Sequence, residues 1–208
     1  GTQTVLGTQE NLKNPSITNI KNYYKQWYVP NNMAICMSGD LDPDATIALI
    51  DKYFGGLKPN PELPKLELPK EAPITQPVEK EVLGPDAESV ALAWRFPGVS
   101  DKDFEILQVV SQVLYNGKAG LIDLDLNQQQ KVLNSYGYPM GLADYSALLL
   151  GGLPKQGQTL EEVKDLLLSE IKKLRAGEFD EKMLEANINN FKLGELQNME
   201  SNEGRAAM

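Results

Sequence analysis

Apolar residues recur at two spacings along this chain, three to four apart in some stretches and two apart in others. Each change of spacing marks the edge of an element. After Ser16, a predicted N-cap, Ile17, Ile20, Tyr24, Trp27 and Tyr28 follow at helical spacing until Pro30 closes the run. "MAICMSG" then alternates bulky Met33, Ile35 and Met37 with small Ala34, Cys36 and Ser38, the pattern of a buried strand with a helix against its small side. Asp42 and Pro43 open a second helix, with Ile47, Ile50 and Phe54 as its inner stripe and Gly55–Gly56 as its stop. The next stretch holds six prolines between Pro59 and Pro77, set among charges, which sustains neither a helix nor a central strand. It reads as an extended linker.

Beyond the linker the alternation returns in Val90, Leu92, Trp94 and Phe96, a half-buried strand. Phe104, Leu107, Val110 and Leu114 line one side of a capped helix, and "GLIDLDLNQQQ" continues as a short helix. Val132–Tyr138 and Leu142–Leu150 read as strands around a turn at Pro139–Gly141. Thr159 and Glu162 form a capping box for a helix that stops near Gly177, and Asp180 caps a last helix with Leu184, Ile188 and Phe191 inward. Neighbouring strands that return antiparallel among helices make α+β the expected class.

Composition removes whole function classes. The net charge of −9 disfavours nucleic acid, whose phosphates require clustered Lys and Arg. The chain has no apolar run of about 18 residues to span a membrane and no targeting signal, so it reads as soluble with its compartment undetermined. There is no histidine, and Cys36 is the only cysteine. A zinc site of the usual His and Cys donors cannot be made from this chain, nor can Ser-His-Asp or Cys-His catalysis. A carboxylate-only magnesium or calcium site and a two-carboxylate hydrolase remain. The chain starts at Gly1 and ends within the helix-like "ESNEGRAAM", as expected of a piece of a longer protein.

The candidate sites read as framework. Asp40, Asp42, Asp44 and Asp51 hold positions one, three, five and twelve of a calcium loop. However, Ala45 stands where the sharp turn wants Gly, and Pro43 starts a helix inside the loop. Asp123 and Asp125, two apart on a helix, do not share a face and read as a solvated surface. Tyr23, Tyr24, Trp27 and Tyr28 could stack bases or hold a cation. Helical spacing favours core packing for the last three. Gly117 and Gly120 in "LYNGKAGLIDL" suit a tight interhelical turn, with an anion cradle as the alternative.

Taken in order, Leu6–Gly7–Thr8, Tyr28–Met33, Gly39–Asp40 and Phe54–Leu57 resemble the stretch downstream of the zinc site in the inverzincin metallopeptidases. That family includes pitrilysin, the insulin-degrading enzymes and the mitochondrial processing peptidases. The resemblance implies repeated α+β domains, each an antiparallel or mixed sheet with helices packed on one face. Residues 1–58 would then complete a first, zinc-bearing domain, 59–75 would be the Pro-rich linker, and 76–208 a second, non-catalytic domain truncated at its end. The family's His-x-x-Glu-His motif, whose Glu acts as general base on zinc-bound water, lies upstream of the matched stretch. No catalytic or metal residue carries over. Zinc belongs to the parent protein, and this piece alone should be inactive.

In the insulin-degrading members the second domain grips one end of a peptide as an added strand. The resemblance puts that role on Asn116, Gly117 and Gly120, with Tyr136, Gly137 and Tyr138 on the neighbouring strand. The expected partners are the upstream catalytic domain, the second half or a partner subunit, and a peptide substrate. The alternatives are an inactive partner subunit of a two-subunit peptidase and a free-standing peptide-binding module. Without upstream strands, Met33, Ile35 and Met37 are expected to seek cover, for example in a homodimer.

Overall fold

The computed structural model describes residues 7–65 and 70–208. Leu6 of the Gly-Thr turn and residues 66–69 of the Pro-rich stretch lie outside the described residues. The chain divides into two compact units, residues 79–197 and a second unit formed by residues 1–78 with 198–208.

The larger unit is built on a three-stranded antiparallel sheet in the order β1-β3-β2, with β1 at Val90–Pro97, β2 at Asn134–Gly141 and β3 at Tyr145–Leu153. Two helices, α4 at Lys102–Leu114 and α5 at Leu160–Ala176, pack on the sheet and on each other. The fold is α+β, as expected. Register explains which side chains meet the helices. Leu92 pairs with Leu150 and Trp94 with Leu148. Leu148 and Leu150 are buried in one core with Leu107, Val113 and Leu114 of α4, Val163 and Leu167 of α5, and Ile122 and Leu126 between them. Each fully buried side chain of this size contributes roughly 1.5–3 kcal/mol. Gly152 lets α5 approach, because a Cβ there would lie 2.5 Å from Val163 Cγ1. Thr159 and Glu162 form the expected reciprocal cap, and Gly177 ends α5 in the left-handed region at φ 72°.

Two expectations shift. The strands begin two to three residues later than the pattern suggests, and the turn lies at 142–144 instead of at Pro139–Gly141. Pro139 is a strand residue. β2 is an edge strand, where a missing N–H need not break the ladder. The helix after Asp180, α6 at Lys182–Met199, leaves Ile188 and Phe191 exposed and buries Asn187 instead. Ile188 lines an open groove with Phe179 and Leu184, so the inward stripe stops after Leu184.

The smaller unit holds α1 (Gln9–Lys13), α2 (Ile17–Trp27), a 3-10 turn at Pro30–Asn32, α3 (Pro43–Phe54) and α7 (Asn202–Ala207). Ser16 caps α2 and Asp42 caps α3, as the sequence predicts. The Pro-Asn-Asn corner is fastened by side chains. Asn31 Nδ2 donates to the Asn60 carbonyl at 2.8 Å, and the Asn60 N–H returns to Asn31 Oδ1 at 2.9 Å. "MAICMSG" is not a strand: no neighbouring strand among the described residues completes a ladder with it, and Met33, Ile35 and Met37 are exposed. Of the expected core aromatics, Trp27 is half-buried and the tyrosines are uncovered. Tyr24 and Tyr28 are exposed and stack on each other at 4.7 Å, while Tyr23 meets Trp27 at 6.2 Å. The last residues do not continue a single helix. α6 stops at Met199, Ser201 caps α7, and Arg205 Nε reaches Ser38 Oγ at 3.2 Å.

Candidate functional site

The segment from Tyr115 to Ser135 carries most of the polar chemistry of the larger unit. α4 ends at Tyr115, whose N–H still bonds the Ser111 carbonyl. The chain then turns through Asn116–Gly120 into a short helix whose second part, Asp123–Asn127, is a π-helical turn. Asp123 is buried, and its Oδ2 accepts three main-chain N–H groups: Asn116 at 2.9 Å, Gly117 at 3.0 Å and Gly120 at 3.0 Å. Asn116 Oδ1 accepts the next two, from Lys118 at 3.0 Å and Ala119 at 2.8 Å. Every main-chain donor from Asn116 to Gly120 therefore has an acceptor inside the loop. Gly117 sits at φ 78°, and a Cβ on Gly120 would lie 2.6 Å from the Leu114 carbonyl oxygen, so both glycines are required by the turn itself. The sequence reading of a tight interhelical turn holds. The cradle it forms is filled by the chain's own carboxylate, so the solvated-surface reading of Asp123 is corrected.

Asp125 is likewise engaged. Lys173 Nζ on α5 lies 2.5 Å from Asp125 Oδ2 and 2.9 and 3.1 Å from the two Glu170 oxygens. The Lys173 hydrogen bond is the main cause holding the Asp125 carboxyl below its ordinary range. Glu170 is only 1% exposed, and burial pushes its carboxyl up, partly offset by Lys173. Burial alone would lower the Lys173 ammonium, but the two carboxylates outweigh it and raise it. The two carboxylates thus share one ammonium as a brace between elements, not as an acid–base pair over a cleft. Asn127 completes the turn: its carboxamide bonds the Ser135 N–H, carbonyl and hydroxyl, each at 2.8 Å.

The strand half of the predicted site is Tyr136, Gly137 and Tyr138. Tyr136 and Tyr138 stack at 6.2 Å with planes 17° apart. Tyr136 lies over Gly151, where a Cβ would come within 2.3 Å of its ring. Gly137 is buried on the helix side of the sheet, against Leu150 and 3.4 Å (from an ideal Cβ) from Tyr115 Cβ. The structure thus gathers Asn116, Gly117 and Gly120 around Asp123 and pairs the two tyrosines. Tyr115, the neighbour of Asn116, lies beside Gly137. Asp123 and Asn127 are the residues that sequence reasoning missed. A signal existed, since an acidic residue three positions after Gly120 matches the reach-back half of a capping box.

The donor set does not fit a zinc ion. The sequence has no histidine, Cys36 is exposed, and no group of three or more Cys, Asp or Glu among the described residues could hold a metal. The calcium-loop spacing is used for capping, with Asp42 Oδ1 accepting the Ala45 N–H at 2.8 Å. Among the described residues no helix is long and apolar enough to cross a membrane.

Comparison with known proteins agrees with this frame. Residues 16–191 match the family model described as the Peptidase M16 inactive domain. A curated Helicobacter pylori protein named zinc protease PqqE is 26% identical over 213 residues, covering 99% of this chain and 47% of that protein. A crystal structure of a Helicobacter pylori protease superposes with a TM-score of 0.81 at 23% identity, over 97% of this chain and 50% of that one. The inactive peptidase domain of a putative zinc protease from Bordetella parapertussis superposes with a TM-score of 0.51 at 18% identity, over 57% of this chain and 65% of its own. The chain spans about half the length of the Helicobacter proteins it matches.

Proposed function

This chain belongs to the family of Peptidase M16 inactive domains, and from that membership we propose that it serves a zinc-dependent endopeptidase by shaping the substrate chamber and gripping peptide. Its own part is non-catalytic. The observation that carries this is the family match over residues 16–191 in a chain with no histidine, which cannot itself supply His-x-x-Glu-His. Zinc, the general base and the activated water would belong to a catalytic domain of the parent protein.

The grip would use main-chain pairing along β2, with Tyr136 and Tyr138 offering aromatic surface and Gly137 the close approach between them. Asn116, Gly117 and Gly120 would act as the rigid wall beside that strand. Their N–H groups are committed to Asp123, which supports a positioning role over direct donation to peptide. Titration of the isotope-labelled chain with an extended peptide, followed by amide NMR, tests this. Shifts should centre on β2 at Tyr138 and its exposed neighbours, with smaller ones at Tyr136, Gly137, Asn116, Gly117 and Gly120. Shifts confined to other regions would overturn the assignment.

The partner protein distinguishes two versions. If the protein carrying this domain also carries an intact His-x-x-Glu-His, the domain belongs to an active peptidase; if it does not, the chain is part of an inactive subunit that completes the chamber of another.

A further inference from the structure

Among the described residues, β2 has a paired strand, β3, on one side and none on the other. On its other side, at Ser135, sits a single side chain in place of a strand. The Asn127 carboxamide accepts the Ser135 N–H and donates to the Ser135 carbonyl, both at 2.8 Å. A group that donates to and accepts from one strand residue reproduces the pair of bonds exchanged across an antiparallel ladder. Asn127 therefore occupies one rung of the outer edge as a strand residue would. Main-chain direction alternates along a strand, so the groups of Gly137, Pro139 and Gly141 face outward with those of Ser135. Pro139 agrees with this placement, since its missing N–H falls on the unpaired side.

The two ends of this edge are unlike. Ser135 and Gly137 are buried, whereas Tyr138 is 47% exposed, Met140 41% exposed, and Gly141 exposed. Resting on the reading of β2 as the peptide-gripping strand, we infer that Asn127 is an edge stop: it closes the Ser135 end and confines an added strand to Tyr138–Gly141, fixing its register. The partner this edge fits is a short extended peptide. Side chains on the tyrosine face of the sheet would meet Tyr138 and Met140 and should be apolar. The rung at Pro139 offers an acceptor and no donor. The peptide residue opposite it therefore supplies an N–H and leaves its carbonyl to water. The same stop protects the edge of the free protein from pairing with a second copy at Ser135.

The test uses the full chain and a synthetic octapeptide of alternating Thr and Val. In the unaltered protein, the largest peptide-induced amide shifts on β2 should lie within Tyr138–Gly141, and the Ser135 amide should exchange with solvent at the same rate with and without peptide. In Asn127→Ala the Ser135 amide of the free protein should exchange about tenfold faster, as expected for loss of a main-chain hydrogen bond. The large shifts should then extend to Ser135, and added peptide should slow its exchange. Asn127→Asp keeps the acceptor and removes the donor; it should extend the shifts partway and serves if the alanine variant fails to fold. Peptide contact with the same register in all three proteins would overturn the stop while leaving the grip intact. Peptide contact away from β2 in every protein would overturn the grip, and the stop with it.

Discussion

The two units spend similar apolar patterns in opposite ways. In the unit of residues 79–197, three strands supply one another's ladders, and the alternating residues Leu92, Trp94, Leu148 and Leu150 share one core with α4 and α5. In the unit of residues 1–78 and 198–208, the equally regular alternation of Met33, Ile35 and Met37 has no paired strand among the described residues and stays exposed. The lesson is that alternation specifies a face and not its cover. A strand becomes a strand only when a second one satisfies its main chain. Helices differ, since their main-chain bonds are internal. α2 and α3 form with their caps in place while most of their large apolar residues remain exposed, Trp27 and Ile50 being half-buried.

The sharpest way to break this contrast is to truncate matched side chains in each unit. Leu150→Ala and Leu114→Ala, at fully buried positions, should cost about 2–5 kcal/mol in urea unfolding followed through Trp94. Ile35→Ala and Met37→Ala, on the exposed side of the contrast, should stay within about 0.5 kcal/mol. Equal losses in both sets would show that the smaller unit buries what the structure shows exposed.

Next in size is the loop clamp. Asp123→Ala leaves three main-chain donors without their acceptor and should cost about 2–4 kcal/mol. Asp123→Asn keeps an acceptor and should cost less. By comparison, Asp42→Ala removes one cap bond in the smaller unit and should cost about 1 kcal/mol by helix-monitored unfolding.

The carboxylate brace separates by pH. Asp125 is held below its ordinary value of 3.8, so its stabilisation is present above that value and fades as pH falls through the lowered one. Its partial exposure limits it to about 1 kcal/mol or less. Glu170 is raised above its ordinary 4.5, so the sign reverses: its contribution is full below 4.5 and is lost as pH climbs through the raised value. Glu170→Gln should flatten that decline, and Asp125→Asn should flatten the acid limb, in unfolding measured across pH. Among the polar contacts the smallest effect belongs to Thr159→Ala, which removes one side of the α5 cap and should cost roughly 0.5–1 kcal/mol, still above the exposed Ile35 and Met37 truncations.

Much of this was legible in the sequence, and the exceptions share a cause. The caps at Ser16, Asp42 and Thr159 were readable because each is a contact within a few residues. The inner stripe of α4 was readable from Leu107 and Leu114, which are buried, with Phe104 and Val110 half-buried beside them. The displaced β2–β3 turn was not, because Pro139 carries the same signal in a turn and on a strand edge, and only the neighbouring strand decides. Asp125 and Asn127 could not be read from spacing, since their partners Lys173 and Ser135 lie on other elements. Of the candidate site, the glycines of the turn were legible, but the acceptor filling it was not.

The central proposal is that this chain is the non-catalytic domain of a peptidase, serving peptide hydrolysis without performing it. The most direct measurement is turnover of a quenched fluorescent peptide by the purified chain with added zinc, with and without a chelator. The account predicts no turnover in either condition; robust cleavage abolished by the chelator would contradict it.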